Sequence, residues 1–295
     1  MAVVAPASGC AGDELERGLA ELRRLGFDAV HSPAIAARGL FSAGTPAERA
    51  RDFQAAWTDP SVSALVALRG GYGSAQILPL LDAGAIGASP KLFVGYSDTT
   101  AILAWLTCHA GVAALHGPMV DRRLSRGPAG YDEASFVRLL HGDVPLDLPC
   151  PAGVVLQEGE AVGPLFGGTL TQLTASLGTP WAFAPPDGCV LFLEDVNERP
   201  YRIHRMLTQL VQAGLVARAR AIVLGEMPGC GEPGSGGPTA VDAARDALEG
   251  FGGPVFAGFP SGHTAGACVS LPLGTTVRVH ARGRPSLGVE ESPVA

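Results

Sequence analysis

The residues best placed to do chemistry gather around Gly95-Tyr96-Ser97-Asp98. Leu92 to Val94 reads as a buried strand. From Asp98 a helical spacing of apolar residues begins, with Ile102, Leu103 and Leu106 on one face. A strand that turns straight into a helix strains the corner residue and projects its side chain beyond the sheet edge. That is the geometry of a nucleophile elbow, with Ser97 at its tip. The G-x-S-x-G pattern is incomplete, because Thr99 holds the last glycine position. The alternative role for Ser97 is a helix N-cap.

A serine hydroxyl attacks a carbonyl only when a base takes its proton, and the base works best when a third group fixes its tautomer. His263 lies in Pro260-Ser261-Gly262-His263, where packing does not call for a histidine. His116, at the end of a short apolar run, is its rival. His31, His109, His141, His204 and His280 sit near element ends among solvent-compatible residues. Glu194 follows the apolar run Val190 to Leu193. A carboxylate at the end of a buried strand is costly unless it is paired, so a partner such as an imidazole N–H is expected. Asp195 and Glu198 are alternatives for that acid. The dipole of the next helix offers a non-catalytic reason for the charge. The turn Gly70-Gly71-Tyr72-Gly73 has two readings. It could cradle a phosphate against the helix after it, or present backbone N–H groups to an oxyanion, each worth roughly 2.7–4 kcal/mol in the transition state.

These residues need a scaffold that brings distant segments together. Ala2–Ala5, Ala64–Leu68, Leu92–Val94 and Ala113–His116 read as short buried strands, and Phe27–His31 is strand-like. Helical spacing covers Asp13–Leu25, a segment that opens with the capping box Thr45-Pro46-Ala47-Glu48, Ser74–Leu81, and the run to about His109. This alternation predicts a parallel sheet covered by helices, with sites at the carboxyl ends of its strands, where Gly71, Ser97 and His116 fall. Residues 1–142 form the expected N-terminal, nucleophile-bearing α/β domain. Residues 143–160, rich in Pro, Gly and acids, read as a linker, and 161–295 as a mixed α/β C-terminal domain carrying the acid and base. In that domain Cys189–Leu193 and Ala221–Leu224 read as strands. Gly229–Pro238 reads as a surface loop, and 268–271 with 276–280 as a hairpin.

The chain has 295 residues, 47% hydrophobic and 17% charged, with a net charge of -7. That balance supports a large core. It also disfavours nucleic acid and anionic membranes as partners, since no basic cluster stands out. No run approaches the ~18 apolar residues of a membrane span. The six cysteines stand singly, with no C-x-x-C pair to suggest a zinc site. Met1–Pro6 lacks the basic and apolar regions of a secretory leader, so a cytoplasmic protein is expected.

Six motifs, taken in order, carry a resemblance. They are Arg69-Gly-Gly-Tyr-Gly-Ser74, Gly95-Tyr-Ser-Asp-Thr-Thr100, His116-Gly-Pro118, Gly167-Gly-Thr-Leu-Thr-Gln-Leu173 with Gly178-Thr-Pro180, Leu191-Phe-Leu-Glu-Asp-Val196 with Tyr201-Arg-Ile-His-Arg205, and Pro260-Ser-Gly-His263. Together they resemble the LD-carboxypeptidases, or muramoyltetrapeptide carboxypeptidases, and the related microcin C self-immunity peptidases. The resemblance covers roughly Val3 to Arg278.

It implies a flavodoxin-like parallel-sheet N-terminal domain with a smaller mixed α/β C-terminal domain. Its serine peptidase triad would be Ser97, Glu194 and His263, and the backbone N–H groups of Gly71 and Asp98 would form the oxyanion hole. The implied reaction releases the terminal D-alanine of muropeptide tetrapeptides at an L,D bond in peptidoglycan recycling, without metal or other cofactor, in a cytoplasmic homodimer. Tyr72 and Arg202 are the substrate-binding candidates, and Arg69 and Arg199 compete for the substrate carboxylate. His204 departs from the family's usual Asp in Y-R-I-D-R, at a position expected on a helix surface. Two other functions remain open from the sequence. One is hydrolysis of microcin C-like peptidyl-nucleotides, for which Trp181 is the available stacking platform. The other is a non-catalytic nucleotide- or phosphate-binding module built on the Gly70 turn.

Overall fold

Four short runs of apolar residues become the parallel strands β1 (Ala2–Val4), β2 (Ala64–Ala67), β3 (Leu92–Gly95) and β4 (Ala114–His116). Every residue in them is buried, as strands covered on both faces require. The computed structural model describes residues 1–295 apart from positions 233, 235 and 295, so two positions of the Gly-rich loop 229–238 lie outside the described residues.

Phe27–His31 does not form a full strand. Only Val30 bridges, in parallel, to Ala2, and it stays half exposed at the sheet edge. Counting that bridge as the second strand in chain order, the parallel strands run 2-1-3-4-5 across the sheet. This is the flavodoxin-like order, which opens a crevice beyond the carboxyl ends of the first and third strands. Helices α1 (Gly12–Arg24), α2 (Pro46–Thr58), α3 (Ala83–Ala88), α4 (Thr100–Trp105) and α5 (Glu133–His141) complete this half. At the start of α2 the capping box is formed reciprocally: Glu48 N–H donates to Thr45 Oγ1 and Thr45 N–H donates to Glu48 Oε2.

The second half builds a larger sheet. Its strands are β5 (Leu146–Pro149), β6 (Val154–Gln157), β7 (Gly159–Thr169), β8 (Cys189–Glu194), β9 (Ala219–Gly225), β10 (Val255–Phe259), β12 (Thr276–Ala281) and β13 (Ser286–Val289), while β11 (Leu271–Leu273) belongs to the first sheet. The order is β5-β13-β12-β7-β8-β9-β10-β6, with β7 to β10 parallel and the flanking strands antiparallel. Helices α6 (Leu170–Ser176), α7 (Pro200–Gln212) and α8 (Ala240–Ala247) come after β7, β8 and β9. The chain is thus mixed α/β with two sheets. No helix among the described residues is long and apolar enough to cross a membrane.

Two expectations are corrected by the fold. The segment 143–160 is not a free linker: β5 and β6 within it are the two edge strands of the second sheet. In β5 Leu146 and Leu148 point inward while Asp147 and Pro149 face solvent. Proline is tolerated in a strand at such an edge, where no ladder hydrogen bond is lost. The strand pieces after Cys268 are not a hairpin either. β11 pairs antiparallel with β4, setting Leu271 opposite His116, whereas β12 pairs with β7 and β13. One strand of the second half therefore closes the edge of the first sheet.

The halves also meet at the elbow. A β-carbon at Gly168 would stand 2.7 Å from Thr100 Cγ2, and Thr169 N–H donates to Thr100 Oγ1 at 3.1 Å. Only a residue without a side chain lets the end of β7 dock onto the start of α4, and Gly168 has φ near 137°.

Candidate active site

Ser97 follows β3 by one residue, Tyr96, and opens a single 3-10 turn, Ser97–Thr99, that feeds α4. Its φ is 63°. A non-glycine residue held in the left-handed region is a strained one, as the elbow requires. Thr99, which stands where the motif has its last glycine, uses its hydroxyl to donate to Tyr96 O at 2.8 Å. The departure from the pattern therefore braces the corner from inside.

The Gly-rich turn packs on this corner. A β-carbon at Gly70 would lie 2.9 Å from Ser97 Cβ and 3.3 Å from Asp98 N. The Asp98 carboxylate ties the turn down, accepting from Ser74 N–H at 2.8 Å and Gly73 N–H at 3.3 Å, and Ser74 Oγ donates to Asp98 O. Neither Gly71 N–H nor Asp98 N–H donates a hydrogen bond to another described residue. The turn leads into a 3-10 segment, Ser74–Leu80, with Pro79 inside it, rather than into an α-helix. It therefore lacks the aligned macrodipole that helps a helix N-terminus hold phosphate.

The second sheet brings the acid and the imidazole. Parallel register sets Thr169 of β7 beside Glu194 at the end of β8. Glu194 is fully buried, and both of its oxygens accept hydrogen bonds. Oε1 accepts from Thr169 Oγ1, and Oε2 accepts from His263 Nδ1 at 2.7 Å and from His263 N–H at 3.0 Å. Burial alone would raise the carboxyl's pKa. The charge and hydrogen bonds of His263, with smaller help from His116 and Thr169, outweigh it and hold the group at about 2. The carboxylate is therefore ionised, so the proton on His263 sits on Nδ1 and leaves Nε2 as the acceptor. The His263 ring lies edge-on to Tyr96, with centroids 5.0 Å apart.

His263 and Ser97 line one pocket of about 210 Å³ with Arg69, Gly70, Gly71 and Tyr96, and with Asp121 and Arg122 from the segment after β4. The pocket stands at the junction of the two sheets, beyond the carboxyl ends of β2 and β3.

The chain carries both halves of one family pattern. A model of the LD-carboxypeptidase N-terminal domain matches residues 1–117, and a model of the LD-carboxypeptidase C-terminal domain matches residues 162–279. It belongs to the LD-carboxypeptidase family. The murein tetrapeptide carboxypeptidase of Pseudomonas aeruginosa is 36% identical over 241 residues, 78% of this chain and 77% of that protein. The microcin C7 self-immunity protein MccF of Escherichia coli is 28% identical over 93% of this chain and 88% of its own. Among solved structures, the muramoyltetrapeptide carboxypeptidase from Oxalobacter formigenes superposes with a TM-score of 0.87 at 30% identity, over 99% of this chain and 100% of that one. Membership makes this chain a serine-type carboxypeptidase by family.

Within this member of the family the other candidates fall elsewhere. His116 is not at the pocket. Its ring is fully buried behind the acid, with Nδ1 3.1 Å from Ser261 Oγ and Nε2 3.9 Å from Glu194 Oε1. Burial pushes its pKa down to about 4, with Glu194 opposing only in part, so the ring is neutral. Asp195 faces the start of α6, accepting from the N–H and hydroxyl of Thr171. Glu198 pairs with Arg202 at 3.3 Å, and Arg199 with Glu232 at 3.1 Å. Arg202 and Arg199 are thus engaged in surface pairs outside the pocket, and Arg69 alone of the sequence-named arginines borders it. Tyr72 is half exposed and meets Phe41 edge-on, with ring centroids 5.9 Å apart. Trp181 lines a separate groove between α4 and α6. His204 pairs with Asp246 at 2.8 Å on the helix surface.

Asp121, Arg122 and Arg123 are residues that sequence reasoning missed. Three consecutive charges just past the carboxyl end of β4, where such sheets place their sites, were the available signal. Asp121 pairs with Arg69 at 3.3 Å, and Arg122 is exposed with φ at 62°.

Proposed function

We propose that this chain is a serine LD-carboxypeptidase that releases the terminal D-alanine from tetrapeptide muropeptides during peptidoglycan recycling, a role it would carry out in the cytoplasm. One observation carries the reading: the His263 ring, held by Glu194 at 2.7 Å, borders the same pocket as the strained Ser97.

In this mechanism Ser97 Oγ attacks the carbonyl of the L,D peptide bond while His263 Nε2 takes its proton. Buried Glu194 stabilises the imidazolium that forms and stays ionised itself. The negative charge on the former carbonyl oxygen is met by the N–H groups of Gly71 and Asp98. The imidazolium then protonates the D-alanine nitrogen as the C–N bond breaks. Water, deprotonated by the same ring, releases the acyl group from Ser97. Arg69 and Arg122 give the pocket a net positive charge, because Asp121 offsets only one of them. Either guanidinium suits the free carboxylate that marks the end of the peptide.

The deciding experiment tracks D-alanine release from a purified muropeptide tetrapeptide by chromatography. Release by the wild type, and none from the corresponding tripeptide, is the expected result. No release from the tetrapeptide would sink the reading.

Hydrolysis of a peptidyl-nucleotide is the second reading. Trp181 does not support it, but the exposed pair Phe41 and Tyr72 does: these rings stand beside the Gly70–Gly71 turn, where Ser8 Oγ links Phe41 O and Tyr72 N–H. An exposed aromatic pair is a surface on which a base stacks. Comparing kcat/KM on the muropeptide and on an aspartyl sulfamoyl adenosine separates the two.

A further inference from the structure

Arg123 is buried, 6% exposed, and every hydrogen bond it makes ends on a neutral oxygen. Its Nε donates to Tyr96 Oη at 3.3 Å. Nη1 donates to Gly130 O at 3.2 Å and Gly266 O at 2.8 Å, and Nη2 donates to Gly262 O at 2.9 Å and Thr264 O at 3.0 Å. Burying a charge without a carboxylate is costly, and fold stability alone gives little reason to keep it.

The acceptors explain the placement. Gly262 and Thr264 are the residues on either side of His263, so one guanidinium edge holds the carbonyls that flank the imidazole. Tyr96 is the residue before Ser97, and its ring lies against His263. A side chain of the first half thereby grips the loop of the second half and the corner that carries the serine. Glu194 fixes the ring and the His263 N–H from one side, and Glu226 accepts from Ala265 N–H, but the stretch 262–264 lies in no helix or strand, and Arg123 holds its two carbonyls on either side of His263.

We infer that Arg123 is a positioning residue for the acyl transfer, clamping the 262–266 loop to Tyr96 so that the His263 ring is presented to the Ser97 hydroxyl. This rests on the roles proposed above for Ser97 and His263. Lysine cannot replace the clamp, because an ammonium lacks the planar fork that reaches carbonyls in several directions.

The test uses Arg123→Lys, Arg123→Ala and Tyr96→Phe. Each is assayed for thermal unfolding, for kcat and KM on the tetrapeptide, and for the rate of Ser97 phosphonylation by a fluorophosphonate. Phosphonylation needs the serine and its base but no peptide recognition. For folded Arg123→Lys, kcat and phosphonylation are expected to fall together by on the order of 10²-fold, with KM within about threefold, as for a misplacement of about 1 Å. Tyr96→Phe, which removes one acceptor and keeps the ring, is expected to lose several-fold in phosphonylation. A folded Arg123→Lys with wild-type phosphonylation, or with its loss confined to KM, overturns the inference. If neither Arg123 variant folds, a wild-type phosphonylation rate in Tyr96→Phe overturns it. Failure of the wild type to be labelled at Ser97 would instead remove the proposed function beneath it.

Discussion

His263 donates to one oxygen of Glu194 twice, from Nδ1 at 2.7 Å and from its own backbone N–H at 3.0 Å. The ring and the peptide that carries it are thus fixed by the same buried carboxylate. Glu194→Gln keeps the shape but presents either a neutral acceptor or an N–H to Nδ1, so the correct tautomer is no longer enforced. A fall in kcat of about 10⁴-fold is expected, by analogy with an acid-to-amide change in a serine triad. Glu198→Gln, at a surface pair, is expected to stay within about twofold. The reverse ranking in a tetrapeptide assay would transfer the acid's role to Glu198.

Ser97→Ala removes the attacking oxygen and leaves the corner's packing unchanged. D-alanine release is expected to fall by at least about 10⁴-fold, with unfolding temperature preserved or raised, because alanine at this position loses only a hydroxyl. Residual turnover near the wild-type level would exclude Ser97 as nucleophile.

At the pocket, Arg122→Ala is expected to raise KM for the tetrapeptide about 10-fold or more with a smaller change in kcat, since it removes a contact made equally before and during reaction. The same variant should hardly distinguish itself from wild type on a C-terminally amidated peptide, which has no carboxylate to grip. Arg202→Ala, by contrast, is expected to leave both substrates unaffected. An unchanged KM in Arg122→Ala together with a raised KM in Arg69→Ala would assign the grip to Arg69 alone.

His116 makes the fold sensitive to acid in a defined window. Its folded pKa of about 4 lies below the ordinary histidine value, so the unfolded chain binds a proton that the folded chain refuses. The associated stability is complete above pH ~6.5 and is lost as the pH falls toward about 4. Glu194, also depressed in the folded state, contributes stability above pH ~4.5 that is lost only below, toward about 2. His116→Gln should therefore flatten the dependence of unfolding midpoint on pH between about 6.5 and 4 without removing the loss at lower pH that comes from Glu194. Urea titrations across that range check it, and an unaltered slope would place the acid sensitivity elsewhere.

Much of this architecture could be read from local patterns. The capping box at Thr45, the buried runs that became β2, β3 and β8, and the uninterrupted passage from Leu92 into the Thr100 helix are decided by residues within one or two turns of each other. The errors share a different cause. Leu146–Pro149 looks like a linker because an edge strand flanked and ended by prolines has half the hydrophobic signal of a central one. Leu271–Leu273 looks like half of a hairpin because nothing local says that its partner is β4, far earlier in the chain. Arg202 and Trp181 have suitable chemistry but are directed to a surface pair and to another groove, a matter of which face of an element meets which neighbour.

The sequence by itself determined the candidate chemistry: a serine at a strained corner, an acid at the end of a buried strand and a histidine in a Gly-containing loop, since each is specified by its immediate neighbours. Tertiary structure decided which of them meet. Parallel register set Thr169 beside Glu194, the bare backbone of Gly168 let the second sheet dock on the elbow, and burial behind the acid made His116 a neutral neighbour rather than a rival base. It also gave Arg123, the last of three consecutive charges in the chain, its place between Tyr96 and the His263 loop. Such contacts depend on distances through space between segments far apart in the chain, which no local spacing of residues encodes.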